Sequence, residues 1–351
     1  MPQQSGRALR VLLVAVPETA GSALYGLLDV LSAAGGLWQT LLREQPRPAV
    51  LRPGIVATSL EPFACGNDIP VRPSASVRDD PVADLIIVPE VWLEPDASLT
   101  GRHPEIVDWL RRSHRRGAHL YSACSGAILL AETGLLDGCD ATSHWGYADL
   151  FRQQYPRIRF RPEPSLAFAD PAGRVVTAGG TTSWHDLALH IIARHISPAE
   201  ALRIAKVYLL KWHDEGQLPY TPLVRHSPHG DAVIRRVEDF LQAHHAEPEV
   251  LATAVRDAGI PVRTLKRRFR AATGSSLTGR LQDLRVERAK ELLEQSSMAV
   301  DAISAAVGYE DASFFRQLFR RRTGVAPRDY RRMFRPPAAD TPRSDSGPAA
   351  A

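Results

Sequence analysis

The sequence predicts an α/β domain built on a parallel sheet, followed by an all-α domain with two helix-turn-helix units. Short apolar strands alternate with helical segments through the first two hundred residues, and the last third of the 351-residue chain contains an internal repeat. The excess positive charge also lies in that last third, since residues 231–335 carry a net +6 and the remainder −2. A basic module joined to a nearly neutral one is typical of a protein that binds nucleic acid.

The α/β domain is predicted to cover residues 1–197. Runs of four to seven apolar residues separated by helices are typical of strands in a parallel sheet that is covered on both faces. Residues 48–71 are expected to add one or two edge strands, although their prolines interrupt the strand pattern. The other strands are predicted at 8–16, 83–89, 118–124, 138–144, 159–170 and 173–180, and the helices at 22–36, 104–117, 125–134 and 186–196.

Composition excludes several classes of protein. No apolar run approaches the roughly 20 residues that cross a bilayer, and no secretory signal is found, so the chain is expected to be cytoplasmic and to bind no membrane. Three widely spaced cysteines exclude a disulfide scaffold and a four-cysteine zinc site, and we expect no metal and no cofactor. Residues 198–230 are predicted to form a linker helix and a proline-rich loop, and residues 336–351 a disordered tail.

The internal repeat in residues 231–335 has the pattern of a helix-turn-helix. Residues 251–260 match residues 300–309, and each copy continues into a second helix with an inward phenylalanine and outward arginines. The joining helix at 275–295 spans roughly 30 Å at 1.5 Å per residue. That length is close to the ~34 Å between successive major-groove faces of B-DNA, so the pattern predicts two recognition helices in adjacent grooves.

Four motifs of this block follow in order. They are L-x-R-x-F from Leu265, R-x-x-x-A-x-x-L-L from Arg285, V-G-Y-x-D-x-S-x-F-x-x-x-F from Val307 and G-x-x-P-x-x-Y-R from Gly324. The block closely resembles the AraC/XylS family of transcriptional regulators. The resemblance implies that both recognition helices touch base edges, which by position assigns Arg263, Lys266 and Arg267 in the first copy and Ser313, Arg316 and Gln317 in the second. We expect Arg320, Arg321 and Arg322 to hold phosphate instead. The predicted DNA-binding residues are Arg263, Lys266, Arg267, Arg270, Ser313, Arg316, Gln317, Arg320 and Arg321.

One departure from the family pattern concerns the DNA sequence that is read. The family often has arginine in the second recognition helix where this chain has Gln317. Glutamine pairs with adenine and arginine with guanine, so we expect a different target base there. The alternative interpretation of these helices is a solvated basic face. Residues 261–270 contain five basic residues and no acid, and the second copy repeats this basic pattern at matched places, so we favour DNA binding.

Cys124 lies where the strand at 118–124 runs directly into a helix, and it is followed by Ser125 and Gly126. Such a turn presents its side chain at the carboxyl end of the sheet. The helix N-terminus is expected to lower the pKa of the thiol. His144 follows another short strand and is a candidate base beside Cys124.

Two further motifs surround these residues. A-C-x-G-x-x-x-L-A-x-x-G-L-L-x-G begins at Ala123, and T-x-H-W begins at Thr142. Residues 8–197 resemble the PfpI-like class I glutamine amidotransferase superfamily, which implies a flavodoxin-like parallel-sheet sandwich. Hydrolases of that superfamily often shape an oxyanion site with a glycine-rich segment where this chain has PEVW at 89–92. Cys124 is therefore open to three interpretations, a buried structural residue, a catalytic nucleophile and a ligand-pocket residue, of which we favour the last.

The combination of both domains resembles the GlxA-like regulators, which implies that the first domain is a sensor and a dimerisation surface. Carboxylates with tryptophans at the carboxyl ends of the strands suit an amine or quaternary ammonium ligand. The predicted ligand-pocket residues are Glu18, Glu90, Trp92, Cys124, His144, Trp145 and Trp184, with His185 beside them.

The sequence thus predicts a DNA-binding transcriptional regulator that responds to a small, nitrogenous metabolite. A first alternative is a cysteine-dependent amidase or deglycase-like hydrolase with accessory DNA binding. A second is a constitutive DNA-binding protein whose first domain only dimerises. The expected partners are double-stranded DNA, a small-molecule effector, a second copy in a homodimer and RNA polymerase.

Overall fold

The computed structural model describes residues 7–45, 49–94, 97–224 and 229–335. The chain divides into two compact units, of which the first ends at Leu218 and the second begins at Pro219. The predicted disordered tail lies outside the described residues. Within the described ranges, no helix is long and apolar enough to cross a membrane.

The first unit is a seven-stranded sheet with helices on both faces. Its elements in chain order are β1 (Leu9–Val14), α1 (Gly21–Ala33), α2 (Leu37–Leu41), β2 (Leu51–Ala57), β3 (Phe63–Cys65), β4 (Ile69–Val71), β5 (Ala75–Ser76), β6 (Leu85–Val88), α3 (Pro104–Arg115), β7 (His119–Ala123), α4 (Gly126–Glu132), β8 (Asp140–Ala141), α5 (Ala148–Gln154), β9 (Arg159–Phe160), β10 (Leu166–Phe168), β11 (Val175–Ala178), α6 (Trp184–His195) and α7 (Pro198–Tyr208).

The main sheet has the strand order β10-β11-β7-β6-β1-β2-β5. Every neighbouring pair is parallel except β10 with β11, which is antiparallel. The predicted parallel-sheet sandwich is therefore confirmed, with one antiparallel strand at its edge. The pairs β3–β4 and β8–β9 form two small sheets outside it.

Residues 48–71 depart from the prediction of edge strands. β2 lies inside the sheet between β1 and β5, and β5 is the edge strand. Since β5 pairs only with Val56 and Ala57, Pro53 has a neighbouring strand on one side alone. A proline is tolerated there because its missing N–H leaves no broken ladder.

β1 shows why the inner part of a central strand is a run of apolar residues. Val11 and Leu13 lie in one core with α1, α6 and α7, whereas Leu12 and Val14 lie in the other with α3 and α4. Successive side chains of a strand point to opposite faces. Because helices cover both faces, all four residues from Val11 to Val14 are buried, while Arg10 at the start of the strand is exposed.

α7 lies within the predicted linker, yet it packs on the sheet of the first unit. Ile204 and Ala205 join the core that contains α1 and α6. The buried Glu200 accepts a hydrogen bond from the Gly35 amide at 2.8 Å. The part of the predicted linker up to Leu218 thus lies in the first unit.

The second unit is all-helical and has two small cores, one for each copy of the repeat. The long helix α11 contributes Leu281 and Leu284 to the first core and Ala289 and Leu293 to the second. The helices of this unit are α8 (Ala232–His244), α9 (Val250–Asp257), α10 (Val262–Thr273), α11 (Leu277–Gln295), α12 (Val300–Ala306), α13 (Ala312–Thr323) and α14 (Pro327–Phe334).

Candidate functional site

The carboxyl ends of β1, β6 and β7 meet at one edge of the main sheet. The chain continues from β1 to β2 on one side, while β6 pairs with β1 on the other, so the strand order reverses between β1 and β6. Ligands of open α/β sheets bind at this kind of reversal. Glu18, Glu90 and Cys124 follow β1, β6 and β7 respectively, which places three of the predicted pocket residues at this edge.

Cys124 has the geometry of a strained strand-to-helix turn. Its φ is +52°, in the left-handed region that a non-glycine residue rarely adopts. Its amide donates to the Ala178 carbonyl at 3.0 Å, and its own carbonyl accepts from Ser143 Oγ at 2.8 Å. These contacts hold the turn to β11 and to the loop that carries His144.

The thiol of Cys124 is held in its protonated form. Its side chain is buried, and burial raises the pKa of the thiol, as does the neighbouring Glu90 carboxyl. These effects outweigh the lowering expected from the helix N-terminus, so that prediction was wrong. Burial also raises the pKa of Glu90, which accepts a hydrogen bond from Thr181 Oγ1 at 3.3 Å.

The backbone amides after β6 already have partners. Val91 N donates to Ser125 Oγ at 3.0 Å, and Trp92 N donates to the Glu18 carbonyl at 2.6 Å. An oxyanion site needs amides that point at the reacting atom. Because these two amides are engaged by Ser125 and Glu18, they are not available to form an oxyanion site beside Cys124.

His144 begins the short helical turn 145–147. Its Nδ1 accepts a hydrogen bond from the Gly146 amide at 3.0 Å, and its ring centroid lies 4.7 Å from that of Trp145. The Tyr147 hydroxyl donates to the Leu93 carbonyl at 2.9 Å, and burial raises the pKa of this tyrosine to about 12. The Nδ1 of His144 is therefore already engaged by the backbone, and its ring packs against that of Trp145.

The remaining predicted pocket residues have different surroundings. Glu18 contacts His103 Nε2 at 3.1 Å and Arg102 Nη1 at 3.6 Å, so its charge already has partners. Trp92 is 62% exposed. Trp184 and His185 line a cavity of about 530 Å³, together with Gly26, Asp29, Val30, Thr182, Tyr208, Leu209, Leu210, Lys211 and His213.

Gln217 is a residue of this edge that sequence reasoning missed. Its Nε2 donates to Thr142 Oγ1 and to the Ser143 carbonyl, each at 3.1 Å, and its Oε1 accepts from the Gly180 amide at 2.7 Å. A Cβ at Gly179 would lie 2.3 Å from Gln217 Nε2. Nothing in the local pattern distinguishes this glutamine, because its partners come from distant parts of the chain.

We expect Cys124 to react slowly with iodoacetamide at pH 8, and Glu90→Gln to accelerate that reaction. Removing the carboxyl lowers the thiol pKa, and each unit of lowering raises the thiolate fraction about tenfold. Mass spectrometry of the peptide that contains Cys124 measures the rate. The exposed Glu94, substituted with glutamine, is the matched control, and equal rates in both variants would contradict the assignment of Glu90.

Among the described residues, no group of three or more His, Cys, Asp or Glu is placed to hold a metal ion.

The second unit contains two helix-turn-helix copies of matched geometry. In the first, α9 and α10 are joined through Gly259, whose φ is +63°, and in the second α12 and α13 are joined through Gly308, whose φ is +88°. A left-handed residue at each turn favours glycine. Phe269 and Phe319 are fully buried, each in the core of its own copy.

The outward faces of α10 and α13 carry the predicted DNA-binding residues. The first turn of α13 is capped by Asp311, whose Oδ1 accepts from the Ser313 and Phe314 amides. α11, the strut between the copies, has 19 residues, or ~28 Å at 1.5 Å per residue. All of the predicted residues are exposed to solvent: Arg263, Lys266, Arg267, Arg270, Ser313, Arg316, Gln317, Arg320 and Arg321.

Not every arginine of these helices faces outward. Arg268 makes two hydrogen bonds to Asp231, at 2.8 and 2.6 Å. Arg322, expected on phosphate with its two neighbours, instead places Nε 3.2 Å from Asp283 Oδ1. Arg316 is exposed and forms an ion pair with Asp301.

Arg285 joins the two copies. Its Nε donates to the His245 carbonyl at 2.7 Å and its Nη1 to the Gly308 carbonyl at 2.8 Å. Its Nη2 lies 3.3 Å from the Glu247 carbonyl, and its guanidinium lies 4.8 Å from the centre of the Tyr309 ring. Three carbonyls from both copies thus converge on one strut residue.

Comparison with known proteins gives matches for both units. Residues 10–194 match the DJ-1/PfpI family, and residues 254–333 match a helix-turn-helix domain. The chain is 28% identical over 293 residues to the HTH-type transcriptional regulator CdhR of Pseudomonas aeruginosa, a match that covers 82% of this chain and 84% of that protein.

Two further relatives share parts of the chain. The HTH-type transcriptional regulator GlxA of Rhizobium meliloti is 28% identical over 246 residues, which cover 70% of this chain and 72% of GlxA. An isonitrile hydratase of Pseudomonas putida is 26% identical over 155 residues, which cover 44% of this chain and 64% of the hydratase.

Proposed function

The chain belongs to the DJ-1/PfpI family and carries an AraC-type helix-turn-helix domain at its carboxyl end, and we propose that it is a sequence-specific DNA-binding transcriptional regulator. Relatives that match it across both units are named as HTH-type transcriptional regulators. The observation that carries the proposal is the matched pair of exposed polar and basic faces on α10 and α13, set apart by one strut helix.

In this function the two recognition helices lie in successive major grooves. Arg263, Lys266 and Arg267 of the first copy face base edges, as do Ser313 and Gln317 of the second, among the other exposed residues. Gln317 pairs with adenine. Arg320 and Arg321 hold phosphate, which gives affinity and salt dependence without sequence choice. Dimerisation through the first unit lets two such pairs bind a repeated or palindromic site.

Arg267→Ala is expected to relax base preference by about 1–3 kcal/mol at one position of the operator. Arg321→Ala is expected to weaken binding to all sequences alike. It should also reduce the slope of log affinity against log salt concentration by about one. Selection of bound fragments from random DNA, followed by binding measured against salt concentration, tests both.

The control for this pair is Arg256→Ala, an exposed arginine of α9 outside the predicted set. Equal losses for Arg267→Ala and Arg321→Ala across unrelated sequences would contradict the assignment of base and phosphate contacts. A wild-type protein that selects no sequence would contradict the proposed function itself.

For the first unit we propose a sensor role, with a small polar metabolite bound at the sheet edge beside Glu90, Cys124 and His144. Glu18 is already paired with Arg102 and His103, and burial raises the pKa of Glu90. Recognition by hydrogen bonds is therefore better supported than attraction to a cation alone. A thermal-shift screen of the full chain against metabolites, repeated with Cys124→Ser, tests this role, since a pocket without chemistry keeps its ligand response.

The hydrolase alternative is favoured by one observation, the left-handed backbone of Cys124 at a strand-to-helix turn. A relative named isonitrile hydratase matches part of the chain. The buried, protonated thiol and the engaged amides of Val91 and Trp92 oppose it. Turnover of small amides or isonitriles that disappears in Cys124→Ser would support the hydrolase instead.

A further inference from the structure

The second unit begins with a short segment that lies against both helix-turn-helix copies. We call residues 220–224 the strap. Val224 packs against the core of the first copy, and Leu223 packs against the core of the second. The ring of Tyr220 lies 5.1 Å from that of Phe334 at the end of α14. A segment ahead of the DNA-binding helices thus bridges the two bodies that carry the recognition helices.

Two side chains of α11 hold the strap in place. Glu287 Oε1 accepts a hydrogen bond from the Leu223 amide at 2.7 Å. Lys290 Nζ donates to the Thr221 carbonyl at 3.1 Å and to Glu287 Oε1 at 2.9 Å. Glu287 and Lys290 therefore fix the backbone of the strap at two points along the strut.

The burial of Lys290 indicates what this arrangement does. Its side chain is only 9% exposed, and its ammonium lies 5.8 Å from the centre of the Tyr330 ring. A buried ion pair contributes little net stability compared with an apolar pair of the same volume. Its directional hydrogen bonds do specify one position of the backbone, so the pair is suited to setting the register of the strap on α11.

The strap is also close in sequence to the sheet edge of the first unit. Gln217, whose amide group contacts the Ser143 carbonyl and the Gly180 amide, precedes Leu223 by six residues. The loop that carries His144 therefore contacts a residue only a few positions before the strap. A ligand can shift DNA binding only through an element with two arrangements that it favours unequally.

We propose that the strap, held by Glu287 and Lys290, is a positioning element that sets the spacing at which the two recognition helices bind DNA. The inference rests on the proposed function. Leu223 and Val224 bridge the two copies, so releasing the strap loosens their relative placement while each recognition face stays intact. The strap residues and their two holders are positioning residues, because they act through α10 and α13.

The test measures the spacing preference of the full chain. Each recognition helix reads one short DNA sequence, which we call a box. The duplexes carry the two boxes found by selection, at the preferred spacing and at spacings one or two base pairs longer or shorter. Wild-type protein is expected to lose about tenfold in affinity per base pair of displacement, since that step rotates and shifts one box. Glu287→Gln is expected to reduce this loss to about threefold, with the base preference inside each box unchanged.

The matched control is Glu291→Gln, which removes the acid of an equivalent but exposed pair with Arg288 on the same helix. It should keep the wild-type spacing preference. Spacing preferences that are equal in the wild type, Glu287→Gln and Glu291→Gln overturn the proposal. If Glu287→Gln unfolds at a lower temperature than the wild type, Leu223→Ala serves as the second variant. This substitution leaves every charge of α11 in place.

A DNA-free measurement separates this proposal from the proposed function. Spin labels on α10 and α13, at Ala271→Cys and Arg321→Cys with Cys139→Ser, report the distance between the recognition helices. The distance distribution is expected to broaden in Glu287→Gln and Leu223→Ala but not in Glu291→Gln. Unchanged distance distributions would overturn the proposed role of the strap even if the protein selects a DNA sequence. A wild-type protein without sequence preference would instead contradict the proposed regulator function.

Discussion

Replacing Gly126 with alanine is expected to destabilise the first unit by about 3 kcal/mol, because the new methyl group has no room. A Cβ there would lie 2.3 Å from the Val88 carbonyl oxygen and 2.4 Å from that of Pro89. Both obstacles are backbone atoms of the central strand β6 and its following loop, so no side chain can rotate away. Overpacking of this kind typically costs about 1–3 kcal/mol, and a rigid neighbour places it at the upper end.

The close approach of α4 to β6 also places Cys124 beside Glu90. If α4 is pushed outward, the contact between Cys124 and Glu90 lengthens. The thiol of Cys124 then becomes accessible, and the fold becomes less stable. Urea unfolding followed by the fluorescence of the first unit's tryptophans measures the loss. Iodoacetamide labelling of the native protein at pH 8 reports the accessibility.

Gly36→Ala is the control for this substitution. Its φ is −130°, and a Cβ there meets nothing within 4 Å. Alanine at such a position leaves stability unchanged or raises it by about 0.4–1 kcal/mol, through the lower entropy of the unfolded chain. A Gly126→Ala protein as stable as Gly36→Ala would show that α4 is free to move from the sheet, and the close packing of α4 against β6 would then be wrong.

The sequence predicted the architecture well where the pattern is periodic and local. Residues 11–14 of β1 and all of β6 are continuous apolar runs, and the structure covers both of their faces with helices. The repeat predicted two helix-turn-helix copies and the strut, and α11 spans Leu277–Gln295 within the predicted 275–295. In both cases neighbouring residues carry the information.

Sequence reasoning failed where the outcome depends on contacts between distant segments. The thiol of Cys124 was expected to have a lowered pKa from its helix N-terminus, and burial beside Glu90 reverses the direction. Gln217 and Lys290 were not singled out, because their partners are set by the fold. The strands of residues 48–71 were expected at an edge, whereas β2 lies inside the sheet, and the short pairing of β5 shows how this inner strand tolerates Pro53.

Arg285→Ala is expected to lower the free energy of unfolding of the second unit by about 3 kcal/mol. Each hydrogen bond to a charged group is worth about 1.5–3 kcal/mol, and a carbonyl that loses its partner adds a desolvation penalty. Arg285 donates to the carbonyls of His245 and Gly308 and lies beside that of Glu247. Because the site is only half-buried, water replaces part of the lost hydrogen bonding. The expected effect therefore stays near the sum of two hydrogen bonds at the lower value of about 1.5 kcal/mol each.

Arg285→Ala should weaken the binding of DNA that carries two boxes more than it weakens the contact of either recognition helix with a single box. The two copies bind DNA as a linked pair, so a rigid joint gives the second box a high effective concentration. A looser joint lowers that effective concentration, so we expect the variant to bind DNA that carries both boxes about 100-fold more weakly. DNA that carries a single box is expected to bind the variant and the wild type alike.

Arg288→Ala is the matched control, since Arg288 lies on the same helix and pairs only with the exposed Glu291 among the described contacts. It should cost less than about 1 kcal/mol, as exposed pairs do. Binding to one-box and two-box duplexes at one salt concentration, together with urea unfolding, measures both effects. If Arg285→Ala weakened one-box and two-box binding equally, Arg285 would support the fold of a single copy, and the strut would not act as a joint between the two.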